Sequence, residues 1–410
     1  MTTTITFFPV GNGDMTLIGL ADAARTTVLI DCNIRSAADD PEGDTRDVAQ
    51  DLRDRLRRDS KARPYVDAFL LSHPDKDHCR GLAEHFYLGP PDDYPDDKKA
   101  DNEKRIFIRE IWSSPMVFRR TSKSHPLSED AKAFNTEAKR RVKVNRDKQF
   151  SGVGSGDRIL VFGEDEDGKT DDLGPILVKV DETFTRINGS ENSCFAARLL
   201  APLEASEGET EEELSKNESS VILNIAIASD SSQSTVRQFL TGGDAEVAIW
   251  ERLWDKHKPD GSVLEYDLLQ APHHCSWHSL SHDSWSELHE KAEVSDSARS
   301  ALSQIRDGGL IVASSEPIHD DDNDPPCYGA KQEYEAIVND VDGSFYCTGE
   351  YPAPDDVAPL EFSVTDSGLQ LSVRKVAIGA KRSLLRPAVA SSGLSFPNKP
   401  VVPNKPAGFA

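Results

Sequence analysis

His73-Pro74-Asp75-Lys76-Asp77-His78 follows the largely apolar run Val66–Leu71, with only Ser72 between them. The run reads as a buried strand. A strand that ends in a tight loop sends alternate side chains toward one point. Here His73, Asp75, Asp77 and His78 stand at i, i+2, i+4 and i+5. Four such groups directly after an apolar strand point to a metal site rather than to four separate structural roles. Two later stretches repeat the logic. Phe239-Leu240-Thr241 runs through Gly242-Gly243 to Asp244, and the two glycines permit close backbone approach. The strand-like Leu264–Leu269 leads to Pro272-His273-His274. Taken singly, Asp244 is a helix cap and the histidine pair lines a turn. Taken together, three strand ends deliver histidine and aspartate to one centre.

Outward from the motif, the chain alternates strand-rich and helical blocks. Thr4–Phe8, Thr16–Ile18 and Thr27–Ile30 read as short strands, with the turn Gly11-Asn12-Gly13-Asp14 after the first. Asp44 to Arg58 carries Val48, Leu52 and Leu56 at four-residue spacing, which predicts an amphipathic helix. Ile106–Trp112 is a strand and 128–144 a helix. Strands follow at 157–162, 193–200, 221–228 and 236–240, the last two as a hairpin. A helix is expected over 245–257 and another around 330–338, with strands at 310–314, 344–347, 360–364 and 369–373. Two sheets flanked by helices suit this order better than one doubly wound sheet. One domain is expected over 1–375, with a basic insertion at about 111–150 and acidic insertions at about 163–192 and 203–219. Residues 376–410, rich in Ser, Pro and Lys, read as a tail.

The 410 residues carry 47 Lys and Arg against 71 Asp and Glu, a formal charge of −24. That excludes a protein that coats nucleic acid over its whole surface. It leaves room for a nuclease, whose phosphate contacts are local. Residues 111–150 hold ten Lys and Arg and four acids, a local +6, which reads either as a solvated helix face or as a lip guiding a polyanion. Mean hydropathy is −0.52, and no apolar run approaches the ~18–20 residues of a membrane span. The start, MTTTITFFPVGNGD, lacks the basic and apolar regions of a secretory signal. The six cysteines are scattered, without a CxxC pair. A cytoplasmic protein with reduced, packing cysteines and no membrane partner is expected.

The motif set resembles the metallo-β-lactamase fold, whose signature is HxHxDH, a lone His, Asp and a final His. More narrowly it is similar to the hydrolase domain of the competence DNA-uptake protein ComEC. That group shows VGxGD, LIDxG, SHxDxDHxGGL, LLTGDAE and HHGSxxS. The matching stretches here are Val10-Gly11-Asn12-Gly13-Asp14, Leu29-Ile30-Asp31-Cys32-Asn33, Ser72–Leu82, Phe239–Glu246 and His273–Ser279. ComEC carries a membrane channel and this chain has none. The resemblance implies an α/β chain folded as a four-layer αββα metallo-β-lactamase sandwich.

It also implies two divalent ions. His73 and Asp75 serve one, Asp77 and His78 the other, Asp244 bridges them and His273 completes the second site. His274 stands beside it as the less favoured ligand and as a catalytic candidate in contact with the phosphate or leaving oxygen, with Asp77 orienting the attacking hydroxide. Asp14 and Asp31 reach the site in the family, and Ser276 or Ser279 is a phosphate contact. No third-motif histidine stands out between 78 and 244; His85 and His125 are the nearest candidates. Aspartate at position 75 hardens the first site, favouring Mn²⁺ or Mg²⁺ there and Zn²⁺ or Mn²⁺ in the second. Such ions lower the pKa of a bridging water to ~7 and clamp phosphoryl oxygens. The expected activity is hydrolysis of nucleic acid, DNA foremost. A small phosphodiester, such as a cyclic nucleotide or a phosphorylcholine-like ester, is the alternative. An effector of the same fold held by a regulatory protein partner is the third reading. The loop Glu316–Asp322, with His319, reads as polar surface. β-Lactam hydrolysis does not suit a chain without an export signal.

Overall fold

The computed structural model describes residues 2–39, 43, 45–119, 126–165, 168–205, 217–233 and 235–372. Contacts divide the chain into residues 1–372 and 373–410. The expected tail, its basic residues from Arg374 to Arg386, His125 and much of the 203–219 insertion lie outside the described residues.

The first unit is mixed α/β. Its larger sheet has eleven strands, and its core order runs from Leu360–Thr365 through Thr4–Phe7, Thr16–Gly19 and Thr27–Ile30 to Pro64–Leu70, Ile106–Ser113 and Arg158–Phe162. Pro64–Leu70 is buried at all seven positions. It lies parallel between Thr27–Ile30 and Ile106–Ser113, with Val28 opposite Ala68 and Leu70 opposite Trp112. A parallel strand covered on both faces needs the continuous apolar run the sequence supplies. Its one charge, Asp67, is answered by the Thr27 N–H at 3.0 Å and Arg109 at 2.8 Å.

The second sheet has seven strands. Phe195–Ala201, Ile222–Ala228 and Val236–Leu240 run antiparallel, and Tyr266–Gln270, Ile305–Ala313 and Ser344–Cys347 join in parallel. The hairpin expected at 221–240 is present, with Ile225 opposite Phe239. Alternation then sorts the core. Ile5, Phe7, Ile30, Leu70 and Trp112 of the first sheet share one apolar cluster with Phe195, Ile225, Phe239 and Val312 of the second. The other face of the first sheet packs with Val48, Leu52, Ala131 and Phe134 from the helices Val48–Arg53 and Glu129–Asp147. The other face of the second packs with Trp250 and Leu253 of Val247–His257 and Tyr334 and Ile337 of Tyr328–Asn339.

The helix expected over 44–58 is shorter, Val48–Arg53. Arg57 and Arg58 instead pair antiparallel with Tyr65 and Pro64, so sheet pairing ends the helical pattern before Leu56. The 163–192 insertion is partly ordered into the sheets. Leu177–Val178 extends the first, beside Val161–Phe162, and Thr183–Phe184 extends the second, beside Ala197–Arg198. All six cysteines are free and buried. Among the described residues, no helix is long and apolar enough to cross a membrane.

Candidate metal centre

The three stretches singled out in the sequence converge at the ends of their strands. Asp77, His78, Asp244 and His274 each offer a ligand atom within 4.8 Å of the others. His73, Asp75 and Asp244 form a second such group. Asp244 belongs to both, and its two oxygens divide between them. Oδ1 lies 2.8 Å from His78 Nε2 and 3.4 Å from His274 Nε2. Oδ2 faces His73 Nδ1 at 3.6 Å.

These atoms make close charge contacts without well-directed hydrogen bonds. His73 Nδ1 and Nε2, His78 Nε2, Asp244 Oδ1 and both nitrogens of His274 are buried without a hydrogen-bond partner among the described residues. Orphaned polar atoms in a protein interior are costly. Here they face one another, which suits a shared cation. Four ligands around an ion with ~2.1 Å bonds stand about 3.4 Å apart in a tetrahedron. The spacings of 2.8, 3.2 and 3.4 Å among His78, Asp77, Asp244 and His274 match that scale. Donor set and geometry therefore fit a divalent metal.

An outer layer fixes the imidazoles. His78 Nδ1 donates to Asp31 Oδ2 at 2.9 Å, which leaves Nε2 to face Asp244. Asp31 is fully buried and also accepts from the Ser72 N–H at 2.7 Å and from the Ser72 hydroxyl. Asp14 Oδ1 stands 3.5 Å from His274 Nδ1, and its own N–H donates to the Asp77 carbonyl at 3.2 Å. That contact needs Gly13, since a Cβ there would sit 2.0 Å from Asn33 Nδ2 and 2.7 Å from the Asp77 carbonyl. Ser220, outside every motif of the sequence, accepts the Asp244 N–H at 3.0 Å. No pattern around Ser220 announces that role.

The charges follow from this packing. Burial keeps His73 below the usual imidazole range, so its ring is neutral at pH 7. Burial opposes protonation of His78 as well, but Asp244 and Asp31 outweigh it and hold the ring well above that range. His274 is likewise raised to about 10, with burial outweighed by Asp244 and Asp14. Asp77 and Asp244 are held low, as their histidine neighbours overcome burial. Burial pushes Asp31 up.

The order of the histidine pair differs from expectation. His274, not His273, is the member gathered with Asp77, His78 and Asp244. His273, His274 and Cys275 all have positive φ, at 50°, 54° and 69°. This left-handed stretch is pinned by the His273 N–H to the Gly243 carbonyl at 2.7 Å. It turns His274 inward and leaves His273 at the rim, its Nδ1 4.0 Å from Glu246 Oε1. Ser276 and Ser279 are fully buried, and their hydroxyls serve the loop's own backbone. Ser276 Oγ accepts the His278 N–H at 3.1 Å, and Ser279 Oγ donates to the Pro272 carbonyl at 3.3 Å. His85 stands beside Arg53, 3.4 Å away, and belongs to none of the three candidate ligand groups, the third being Asp14, Asp31 and His78. His319 and Asp320–Asp322 are exposed. Asp75 and Asp77, about 27 % and 31 % exposed, form the open side of the centre.

The basic segment is largely neutralised. Arg119 pairs with Asp165, Lys132 with Glu129, Arg140 with Glu137 and Asp157, Arg141 with Glu137, Lys143 with Asp147 and Arg146 with Asp172. Arg120 and Lys123 lie outside the described residues.

No family model matches the chain, and no curated protein matches it. Among solved structures it is similar to Igni18, a metallo hydrolase from the hyperthermophilic archaeon Ignicoccus hospitalis. That alignment covers 88 % of this chain and 98 % of the other, at 9 % identity and a TM-score of 0.33.

Proposed function

We propose that this chain is a two-ion, metal-dependent hydrolase of phosphodiesters, built as a four-layer αββα sandwich of the metallo-β-lactamase kind and similar in its motifs to the ComEC hydrolase domain. The observation that carries this reading is the division of Asp244 between two ligand groups. One carboxylate placed between two histidine sets is what a pair of adjacent cations requires. Divalent ions bound there supply an activated water and neutralise charge developing on a phosphoryl group. Around them, the chain's own residues have separable tasks. Asp31 and Asp14 orient the rings of His78 and His274. Asp77 stands on the open side, where its free edge orients the attacking water. His73 and Asp75 hold the harder site, suited to Mn²⁺ or Mg²⁺, while the His78 and His274 set suits Zn²⁺ or Mn²⁺.

Nucleic acid, with DNA first, is the proposed substrate, on the strength of the motif resemblance. A small phosphodiester is the second reading, and one observation favours it. Arg119, Arg140 and Arg141 of 111–150 are held in largely buried pairs with Asp165, Glu137 and Asp157, which leaves less charge for a long polyanion. The test strips the chain with a chelator, restores Zn²⁺, Mn²⁺ or Mg²⁺, and assays single- and double-stranded DNA, cyclic nucleotides and bis-p-nitrophenyl phosphate. Metal-dependent turnover that disappears in Asp244→Asn is expected. Turnover untouched by chelation ends the two-ion reading. Cleavage of the small esters without DNA passes the substrate to the second reading.

A further inference from the structure

A cavity of about 490 Å³ lies between the helix Glu129–Asp147, the strand Arg158–Phe162 and the turn around Leu173. That is the size of a small-molecule site. None of its lining residues belongs to the metal groups. Its wall is apolar, formed by Phe118, Val142, Val161 and Leu173. Its rim is basic. Lys139, Lys143 and Arg146 stand at successive turns of the helix and face the same opening. Among the described residues the lining contains one acid, Asp165, and Arg119 already holds it at 2.7 Å.

The rim cations are available to a ligand. Lys139 makes no ion pair among the described residues. Lys143 and Arg146 pair with Asp147 and Asp172, neither of which lines the cavity, and both pairs are largely exposed. Exposed pairs hold their partners weakly, so these side chains turn to an anion readily. An apolar pocket ringed by cations, in a chain whose net charge is −24, selects an anion with an apolar body.

We propose that this cavity binds a small amphipathic organic anion, its ring or short chain against Val142 and Val161 and its sulfonate, phosphate or carboxylate at Lys139 and Lys143. The test is independent of turnover and uses the full chain with chelator present. Anilinonaphthalene sulfonate is titrated by fluorescence, then displaced with octyl phosphate, octanol or inorganic phosphate. Saturable binding of one dye per chain is expected, displaced by octyl phosphate far better than by octanol or inorganic phosphate. Val142→Trp fills the cavity, and Lys139→Glu with Lys143→Glu reverses the rim; each weakens the dye by about tenfold or more. Circular dichroism checks that both variants keep the fold, and the lysine variant, on an exposed helix face, keeps the test decisive if the tryptophan misfolds. Absence of saturable binding overturns the proposal. So does unchanged affinity in a folded Val142→Trp, which puts the dye elsewhere, or in the lysine variant, which makes the cavity indifferent to charge.

Discussion

An imidazole ringed by carboxylates holds its proton until a cation displaces it. His274 is buried beside Asp244, Asp14 and Asp77, and its ordinary 6.5 is raised to about 10 as those charges outweigh burial. In the metal-free chain its ion pairs therefore stabilise the fold fully below pH 6.5, and that contribution is lost as pH rises through about 10. A bound metal takes the proton's place, so the loaded chain does not suffer the loss. The melting temperature of the metal-free chain is predicted to fall from pH 6.5 to 10 while that of the zinc-loaded chain holds. A constant gap between the two curves would mean that His274 carries no such proton. Metal uptake should also release protons, which calorimetry in buffers of different ionisation heat will register. Substitution separates the neighbours: His274→Ala should lose one equivalent of metal, while His273→Ala should keep both. Asp14→Asn should weaken metal affinity about 10–100-fold, the usual effect of losing a ring's orienting partner. Spacing after strands was enough to collect His73, Asp75, Asp77, His78 and Asp244 from the sequence. It could not rank His273 against His274. That choice rests on three consecutive left-handed residues, none of them glycine, each costing about 1–2 kcal/mol, and nothing in their side chains declares it.

Loops from separate strands meet at few points, and Gly13 is one of them. Its carbonyl accepts from the Ser314 hydroxyl at 2.7 Å, and its neighbour Asp14 bonds the Asp77 carbonyl. A Cβ at Gly13 would press on Asn33 and on that carbonyl. Asn33 is tied to the Val10 and Asn12 carbonyls, both at 3.3 Å, and has little room to move. Gly13→Ala is predicted to destabilise by about 1–3 kcal/mol and to lower metal affinity with it. Gly154, with nothing within 4 Å of a Cβ, is the control, and Gly154→Ala should fall within about 0.5 kcal/mol of the parent. Urea melts and metal titrations of the two variants read both effects; equal behaviour would remove the first loop from the support of the centre. Elements built on apolar runs, such as Pro64–Leu70 and Ile222–Ala228, were legible because burial on both faces demands them. The helix expected at 44–58 is shorter in the structure, because Arg57 and Arg58 obey a sheet edge that only the fold supplies.

Charge acts over the whole molecule. The total of −24 and the local +6 were plain in the sequence, but whether that basic segment faces a polyanion depends on where its acids fall. Six of its cations among the described residues are matched, Arg141 wholly inside the protein against Glu137. Lys139 and Lys148 make no ion pair among the described residues. Each phosphate neutralised by a cation contributes about −0.9 to the slope of log affinity against log salt on duplex DNA. Two engaged lysines therefore predict a slope of about −2, whereas all eight described cations of the segment would give about −7. Affinity for a duplex oligonucleotide, measured from low to physiological salt on the metal-loaded Asp77→Asn chain, distinguishes these outcomes. A shallow slope fits a narrow path to the metal centre, with most contact made at the ions themselves. A slope near about −4.5, that of five engaged cations, would mean that the exposed pairs at Lys132, Lys143 and Arg146 open to the polyanion, and the segment would then regain its role as a guiding surface.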